Sequence, residues 1–303
     1  MGRLRQFTSL EAQIDAAAHR VLARLPQSGI AGGLVEFVVF GLKQGWACLF
    51  GGLMLSMLLL TRLYWPEGFG LTRYDGLFLA AFAIQIGMLV FRLETLDEAK
   101  VILIFHIVGT AMELFKTAAG SWIYPEAALF RIGGVPLFSG FMYACVGSYM
   151  ARIYRIFDIR FTRYPPVWMT VVLAGAIYLN FFSHHFMMDL RWVLFAGLAV
   201  LYARTWMHYR VFRFWHRMPI LLSFFLVSIF IWIGENIGTW SRAWVYPDQV
   251  DGWTMVSFGK LGSWYLLMTI SVVLVTLVNR PRPFEGAIDT SPVAGNVPLA
   301  NRP

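Results

Sequence analysis

Two glutamates with matching surroundings are the first residues in this sequence whose type and spacing could do chemistry. Glu113 opens the stretch ELFKTAAGSWIYPE and Glu235 opens ENIGTWSRAWVYPD. A fixed offset of 122 residues pairs Glu113 with Glu235, Trp122 with Trp244, Tyr124 with Tyr246, Pro125 with Pro247 and Glu126 with Asp248. The same offset pairs Gly140 with Gly262, Tyr143 with Tyr265 and Trp46 with Trp168. Each glutamate falls near the end of a long apolar run, where an ionised carboxylate costs roughly 2–3 kcal/mol or more in lipid unless it faces a partner or water. Both are therefore expected to turn inward. Interfacial anchoring explains the Trp, Tyr and Pro residues by itself, but it does not explain the two acids. An acid kept neutral by low dielectric, with Tyr124 and Tyr246 beside it, would suit protonation of an apolar substrate.

Other polar residues cluster near this pair. His106, Thr110 and Glu113 follow i, i+4, i+7 spacing and share one helix face, with Ser228, Trp232 and Glu235 at the equivalent places of the second copy. A histidine there is either a buried polar group satisfied by a neighbour or a proton donor and acceptor working near neutrality. Lys260 lies at the outer end of an apolar run and needs a counter-ion. Glu235 or Glu113 is the natural one, in a pair that is either structural or substrate-steering. Lys116, Trp122 and Trp244 flank the same motifs and are expected to contact a substrate. Glu126 and Asp248, one residue past each Tyr-Pro, form a second acidic layer if their loops fold back over a central pocket, and are solvated otherwise.

Several kinds of chemistry have no signal. No Gly-rich phosphate loop, HExxH, GxSxG or CxxC occurs, and Cys48 and Cys145 have no partner at metal-ligand spacing. His184 and His185 do not form repeated histidine boxes and read as an interfacial outer loop near Asp189. No cofactor or metal is expected.

The elements that must hold these residues follow from composition. With 58% hydrophobic, 17% aromatic and 14% charged residues in 303, the chain has too little polar surface to coat a soluble globule of its size. Backbone groups cannot stay bare in hydrocarbon, and the unbroken apolar runs select helices over a barrel. Eight spans are expected, over 45–63, 74–91, 100–115, 133–151, 167–182, 192–209, 219–237 and 255–277. The segment 34–41 is too short to count alone and reads as an interfacial lead-in. Before it, 8–25 opens on a capping-box pattern, Thr8 with Glu11, and places Ile14, Ala18, Val21, Leu22 and Leu25 on one stripe. This amphipathic helix either lies on an anionic leaflet or docks on the protein's own loops. The first twenty-five residues lack the order of a cleavable signal.

The net charge of +8 is explained by position rather than by nucleic acid, which is not an expected partner. With the N-terminus inside, eighteen Lys and Arg fall on the inner side, among them Arg92, Arg152, Arg155, Arg160, Arg163, Arg204, Arg210, Arg213 and Arg217. Six fall outside: Arg62, Arg73, Lys116, Arg131, Arg191 and Arg242. That asymmetry fits the positive-inside rule, with both termini cytoplasmic. Residues 280–303 lack periodicity and read as a disordered tail.

The stretch from His106 to Arg152 resembles the YoaT-like family of bacterial integral membrane proteins of unknown function, and the likeness extends over about 37–278. It implies a multi-pass bacterial membrane protein and no particular activity. A more distant similarity, through Glu113, Gly120 to Tyr124 and Gly134 to Pro136, is to carotenoid hydratases and membrane lycopene cyclases, although the paired acidic PxE(E/D) motif of the cyclases is absent. The expectation is an all-α transmembrane bundle of the bacterial inner membrane, built as a tandem 4+4 parallel repeat. Its parts are 1–33 (amphipathic helix and linker), 34–164 (first repeat), 165–279 (second repeat) and 280–303 (tail). Its partners are membrane lipids and a hydrophobic small molecule, which an isoprenoid would fit; its oligomeric state is open. Proton- or cation-coupled transport and a non-catalytic scaffold are the alternatives to chemistry on a lipid.

Overall fold

The computed structural model describes residues 9–22, 29–66, 68–183 and 186–285. The chain is mostly helical, with ten helices among the described residues. They are α1 (Ser9–Leu22), α2 (Gly29–Ala47), α3 (Leu49–Tyr64), α4 (Arg73–Val90), α5 (Leu96–Ala118), α6 (Phe138–Ile156), α7 (Val167–Ser183), α8 (Arg191–Tyr202), α9 (Ile220–Trp240) and α10 (Phe258–Val278). Helices α4, α5, α9 and α10 are long and apolar enough to cross a membrane; α2 and α3, bent by 64° at Cys48, make a fifth candidate if they are one span. Each of the eight expected segments contains a helix, but α7 and α8 are shorter than a full span.

Several expectations are corrected. Residues 34–41 lie inside a longer element than expected, α2, a helix of 19 residues that meets α3 at 64°. The sixth expected segment ends early: α8 stops at Tyr202, and Trp206–Arg210 (β4) pairs antiparallel with Trp215–Pro219 (β5). Within β4, Met207, His208, Tyr209 and Arg210 alternate apolar and basic, a period-2 pattern that suits a strand with two different faces. Before α6, Arg131–Ile132 (β1) and Val135–Pro136 (β2) form a hairpin whose central Gly133 and Gly134 both have positive φ, +55° and +85°, as a two-residue turn of this hand requires. Arg160–Thr162 (β3) completes a three-stranded sheet in the order β3-β4-β5.

The sheet also corrects the expected tail. Phe161 donates its N–H to the Arg282 carbonyl and accepts from Phe284 N–H, both at 2.8 Å. Asp158 pairs with Arg282 at 3.0 Å, and the Phe284 ring stacks on His208 at 3.9 Å between centroids. Residues 280–285 are thus held on the edge of β3, and the remainder of the expected tail, 286–303, lies outside the described residues. So do His184, His185 and Thr8.

Helices α6 and α10 are the central pair. Helix α6 touches α2, α3, α4, α5 and α10, and α10 touches α5 through α9. Against α5, α6 packs closely because glycines alternate with rings across the seam: a Cβ on Gly109 would lie 2.4 Å from the Tyr143 ring, on Gly140 2.5 Å from His106, and on Gly147 2.8 Å from Phe105. Small residues bring two helices this near in the absence of a hydrophobic drive between them.

The C-terminal end of α6 carries charge. Arg152 and Arg155, expected in a loop, are helical, Arg152 fully buried and Arg155 part-buried. Arg152 pairs with Glu94 at 3.3 Å, both side chains being fully buried, and Ser148 and Gln85 also donate to Glu94. Arg155 pairs with Glu98 at 2.9 Å and with Glu11 of α1. Glu11 also accepts from Trp46 Nε1 at 2.9 Å. Helix α1 therefore docks on the protein through an acid, while Ile14, on its expected apolar stripe, stays exposed.

Replacing Arg152 by Met leaves Glu94 buried without its cation and should cost about 3–5 kcal/mol, read as a lower unfolding temperature in detergent. Adding Glu94→Gln should recover most of that loss; a single variant as stable as the parent would show that the pair does not hold α6.

Candidate functional site

Both candidate glutamates are presented by the same local device. Helix α5 ends with Gly120 at φ +69° and the 6→1 bond from Ser121 N–H to the Lys116 carbonyl, 2.9 Å. Helix α9 ends with Arg242 at φ +56° and the bond from Ala243 N–H to the Gly238 carbonyl, 3.0 Å. This left-handed cap reverses the chain and folds the aromatic motif back beside the glutamate one to two turns earlier. At the second site an arginine takes the conformation that glycine takes at the first, against the steric preference of an L-residue.

Glu113 is 4% exposed. Its Oε2 accepts Trp122 Nε1–H at 2.8 Å and Tyr124 O–H at 2.6 Å, and its Oε1 accepts Tyr143 O–H at 2.7 Å. Glu235 is 5% exposed and accepts from Tyr246 O–H and Trp264 Nε1–H. Burial first, then the carboxylate each one touches, raises the Tyr124 and Tyr246 hydroxyls well above the usual phenol range. Both remain donors at any physiological pH.

The two motifs meet. Ile123 and Val245 exchange backbone hydrogen bonds at 2.9 and 3.0 Å as an antiparallel bridge. The Trp122 ring stands edge-on to Tyr246 at 6.2 Å. Glu113 and Glu235 line one cavity of about 1180 Å³, together with Trp122, Tyr124, Tyr143, Trp244, Tyr246 and Trp264. Along α6 the lining runs from Ser139 to Phe157, about 27 Å at the helical rise of ~1.5 Å per residue. The far end is closed by the inward face of the sheet, with Phe161, Met207, Tyr209 and Met218 in the wall. Most of the wall between the ends is apolar or aromatic.

The remaining candidates divide. Lys116 and Lys260 line the cavity at the glutamate end; Lys260 Nζ lies 4.1 Å from the Tyr246 ring centroid, and Lys116 Nζ lies 4.1 Å from that of Phe181. Trp244 lines the cavity but packs on Gly238, where a Cβ would be 2.2 Å from its ring. The indole donor to Glu235 is Trp264 instead. His106 is not among the lining residues: its ring occupies the space over Gly140 and stands edge-on to Phe141 at 4.9 Å. Glu126 is turned away into a two-oxygen contact with Arg73 Nε, 2.9 Å to each. Asp248 is exposed in the 3-10 turn Pro247–Gln249. Neither line the cavity, so the second acidic layer does not form; Arg73, which also donates to the Ser241 and Arg242 carbonyls, draws Glu126 outward instead.

Two donors were not singled out from sequence. Tyr143 carried a signal, its 122-residue pairing with Tyr265. Trp264 carried none, since it is one residue out of register with that pairing.

Residues 36–272 match the family described as "Protein of unknown function (DUF817)". The chain belongs to this family. It is also 43% identical over 259 residues to "Uncharacterized protein YoaT" of Bacillus subtilis (strain 168), an alignment covering 84% of this chain and 97% of that protein. No solved structure matches. The DUF817 region takes in both glutamates, all five of their side-chain donors and most of the cavity wall.

Tyr124→Phe strands part of a buried carboxylate and should destabilise the fold by about 1–3 kcal/mol, measured by thermal unfolding in detergent. Because burial raises both phenols well above the ordinary range, the Tyr124→Phe, Tyr246→Phe double variant should match the parent in phenolate absorbance through the pH range where an ordinary tyrosine titrates. A smaller amplitude in the variant would show that these hydroxyls titrate normally.

Proposed function

We propose that this protein binds and transforms a long-chain hydrophobic lipid, an isoprenoid chain among the candidates, with Glu113 and Glu235 at the reacting end. The observation that carries the reading is one elongated apolar cavity ending on two hydrogen-bonded carboxylates. Its length of about 27 Å at the helical rise approaches the ~30 Å hydrocarbon thickness of a bilayer, so it suits a chain more than a compact ligand. Tyr124, Tyr143 and Tyr246 hold the hydroxyl protons on the carboxylates, which makes proton transfer at the head of the chain the natural chemistry. Coupled proton or cation transport uses intramembrane carboxylates too, but a long aromatic and aliphatic wall penalises a hydrated ion.

In this reading the chain has eight spans, as two four-helix repeats within 34–164 and 165–279, and lies in the bacterial inner membrane with both termini cytoplasmic. Support for the repeat comes from matching contacts: α3–α4, α3–α6, α4–α6 and α5–α6 in the first half correspond to α7–α8, α7–α10, α8–α10 and α9–α10 in the second. Equivalent residues Ile123 and Val245 pairing with each other is what an axis along the membrane normal produces at its own position.

Glu113→Gln and Glu235→Gln should each keep the size-exclusion profile of the parent and lower co-purified lipid, read by lipid mass spectrometry, by at least about tenfold, the loss of one charge-assisted contact. Parent amounts of lipid in both variants would remove the carboxylates from the proposed site. Proteoliposome flux that follows a proton gradient without lipid turnover would favour transport.

A further inference from the structure

The cavity has an opening in its side wall. Helix α3 packs on α9, where a Cβ on Gly234 would lie 3.9 Å from the Leu55 side chain. At Cys48 the chain bends by 64°, and beyond the bend α2 packs on α6. The first half of α2 is fixed there by Glu36, which accepts the N–H groups of Phe212 and Arg213, at 3.2 and 2.8 Å, from the turn between β4 and β5. Residues on both sides of the gap between this elbow and α9 line the cavity and are exposed at the same time. On α2 they are Phe37, Gly41 and Gly45, which share one face at i, i+4, i+8 spacing. Cys48 at the bend and Gly52 on α3 continue it, and Phe230 is their counterpart on α9. Phe37 is 71% and Phe230 74% exposed. A face that lines the cavity and also meets the outside marks where the wall is open.

Glycine keeps this opening clear. In the α5–α6 seam the glycines are covered by rings, but among the described residues nothing lies within 4 Å of where a Cβ would stand on Gly41, Gly45 or Gly52. Glycine inside a helix is less stable than alanine, and no close packing offsets that here. The rim is apolar, and α9 and the bent α2–α3 pair are each candidate membrane spans. The exposed wall at the glutamate end differs in kind, with Ser257 beside Lys260 and Arg191.

We infer that the gap between the α2–α3 elbow and α9 is a lateral portal, through which the hydrocarbon chain of a bilayer lipid enters the cavity without passing through water. This rests on the reading of the cavity as a lipid site and adds the route by which the ligand arrives. Exposing a long chain to water is unfavourable in proportion to its apolar area, and Phe37 and Phe230 carry the cavity wall out to the surrounding hydrocarbon. Entry from this side displaces none of the five side-chain donors around Glu113 and Glu235, because none of them is on the rim.

The test is an exchange measurement on the full chain in phosphatidylglycerol nanodiscs, loaded with hexadecanol, challenged with perdeuterated hexadecanol and read by native mass spectrometry at timed intervals. Gly45→Trp, which sets a ring in the open gap, should slow exchange by at least about tenfold. Gly45→Ala should keep the parent rate, which separates a filled portal from a disturbed α2. Leu42→Trp should keep it too, since Leu42 is exposed on α2 but lies off the cavity wall. Parent exchange in Gly45→Trp, equal slowing in Leu42→Trp, or slowing by Ser257→Trp in place of Gly45→Trp overturns the portal while the lipid cavity stands. Failure of the parent to retain hexadecanol at all overturns both.

Discussion

A carboxyl group inside an apolar bundle must have its oxygens met by the protein, and much of the end of this molecule where α5 and α9 finish is arranged by that need. Glu113 and Glu235 are each more than nine-tenths buried, and a buried polar group without partners costs several kcal/mol. The donors come from two directions: the aromatic motif in the reversal after each helix, with Trp122, Tyr124 and Tyr246, and the neighbouring helix, with Tyr143 on α6 and Trp264 on α10. Meeting Glu113 forces the segment after α5 to fold back, and meeting Glu235 does the same after α9. The two returning segments then have nowhere to go but against each other, and they pair at Ile123 and Val245. Arg73 ties the arrangement to α4 by holding Glu126 and two carbonyls after α9 together.

The opposite end follows the same rule with the charges reversed in origin. Helix α6 must bring Arg152 and Arg155 into the bundle, and the acids that receive them, Glu94, Glu98 and Glu11, come from the turn before α5, from its first turn and from α1. This explains why α6, the central helix of the first half, does not read as apolar enough to cross a membrane by itself. Its polar residues are interior and its partners are already in place. A helix of this kind depends on its neighbours for solubility in lipid, and they depend on it for their counter-charges.

Between these two polar ends the packing is uneven. The α5–α6 seam closes tightly because glycines receive rings, and His106 is used up in that seam rather than in the cavity. The face of α6 turned toward α10 carries Val146, Met150, Ile153 and Phe157 along an open space, and Tyr143 stands where that face meets the α5 seam. The cavity thus follows a strip of α6 that its five neighbouring helices leave open. Its floor is the inward face of the β3-β4-β5 sheet, where alternation sends Met207 and Tyr209 into the cavity and His208 to the other side.

Composition and periodicity determined that this chain is helical and apolar, where its helices lie, and that Glu113 and Glu235 share a motif, because those properties depend on neighbours in sequence. The burial of both acids was legible too, since an acid at the end of an apolar run has few other solutions. What tertiary structure alone decided was the partner of each polar group. Glu126 reads like a second acid until Arg73 is seen to take it. Arg152 and Arg155 read like loop cations until Glu94 and Glu98 are found beside them, and Trp264 has no sequence mark at all. Hydrogen bonds and ion pairs act over a few ångströms, and the residues that satisfy these groups lie as many as 144 positions away in the chain. Only the folded arrangement of helices can bring them within reach.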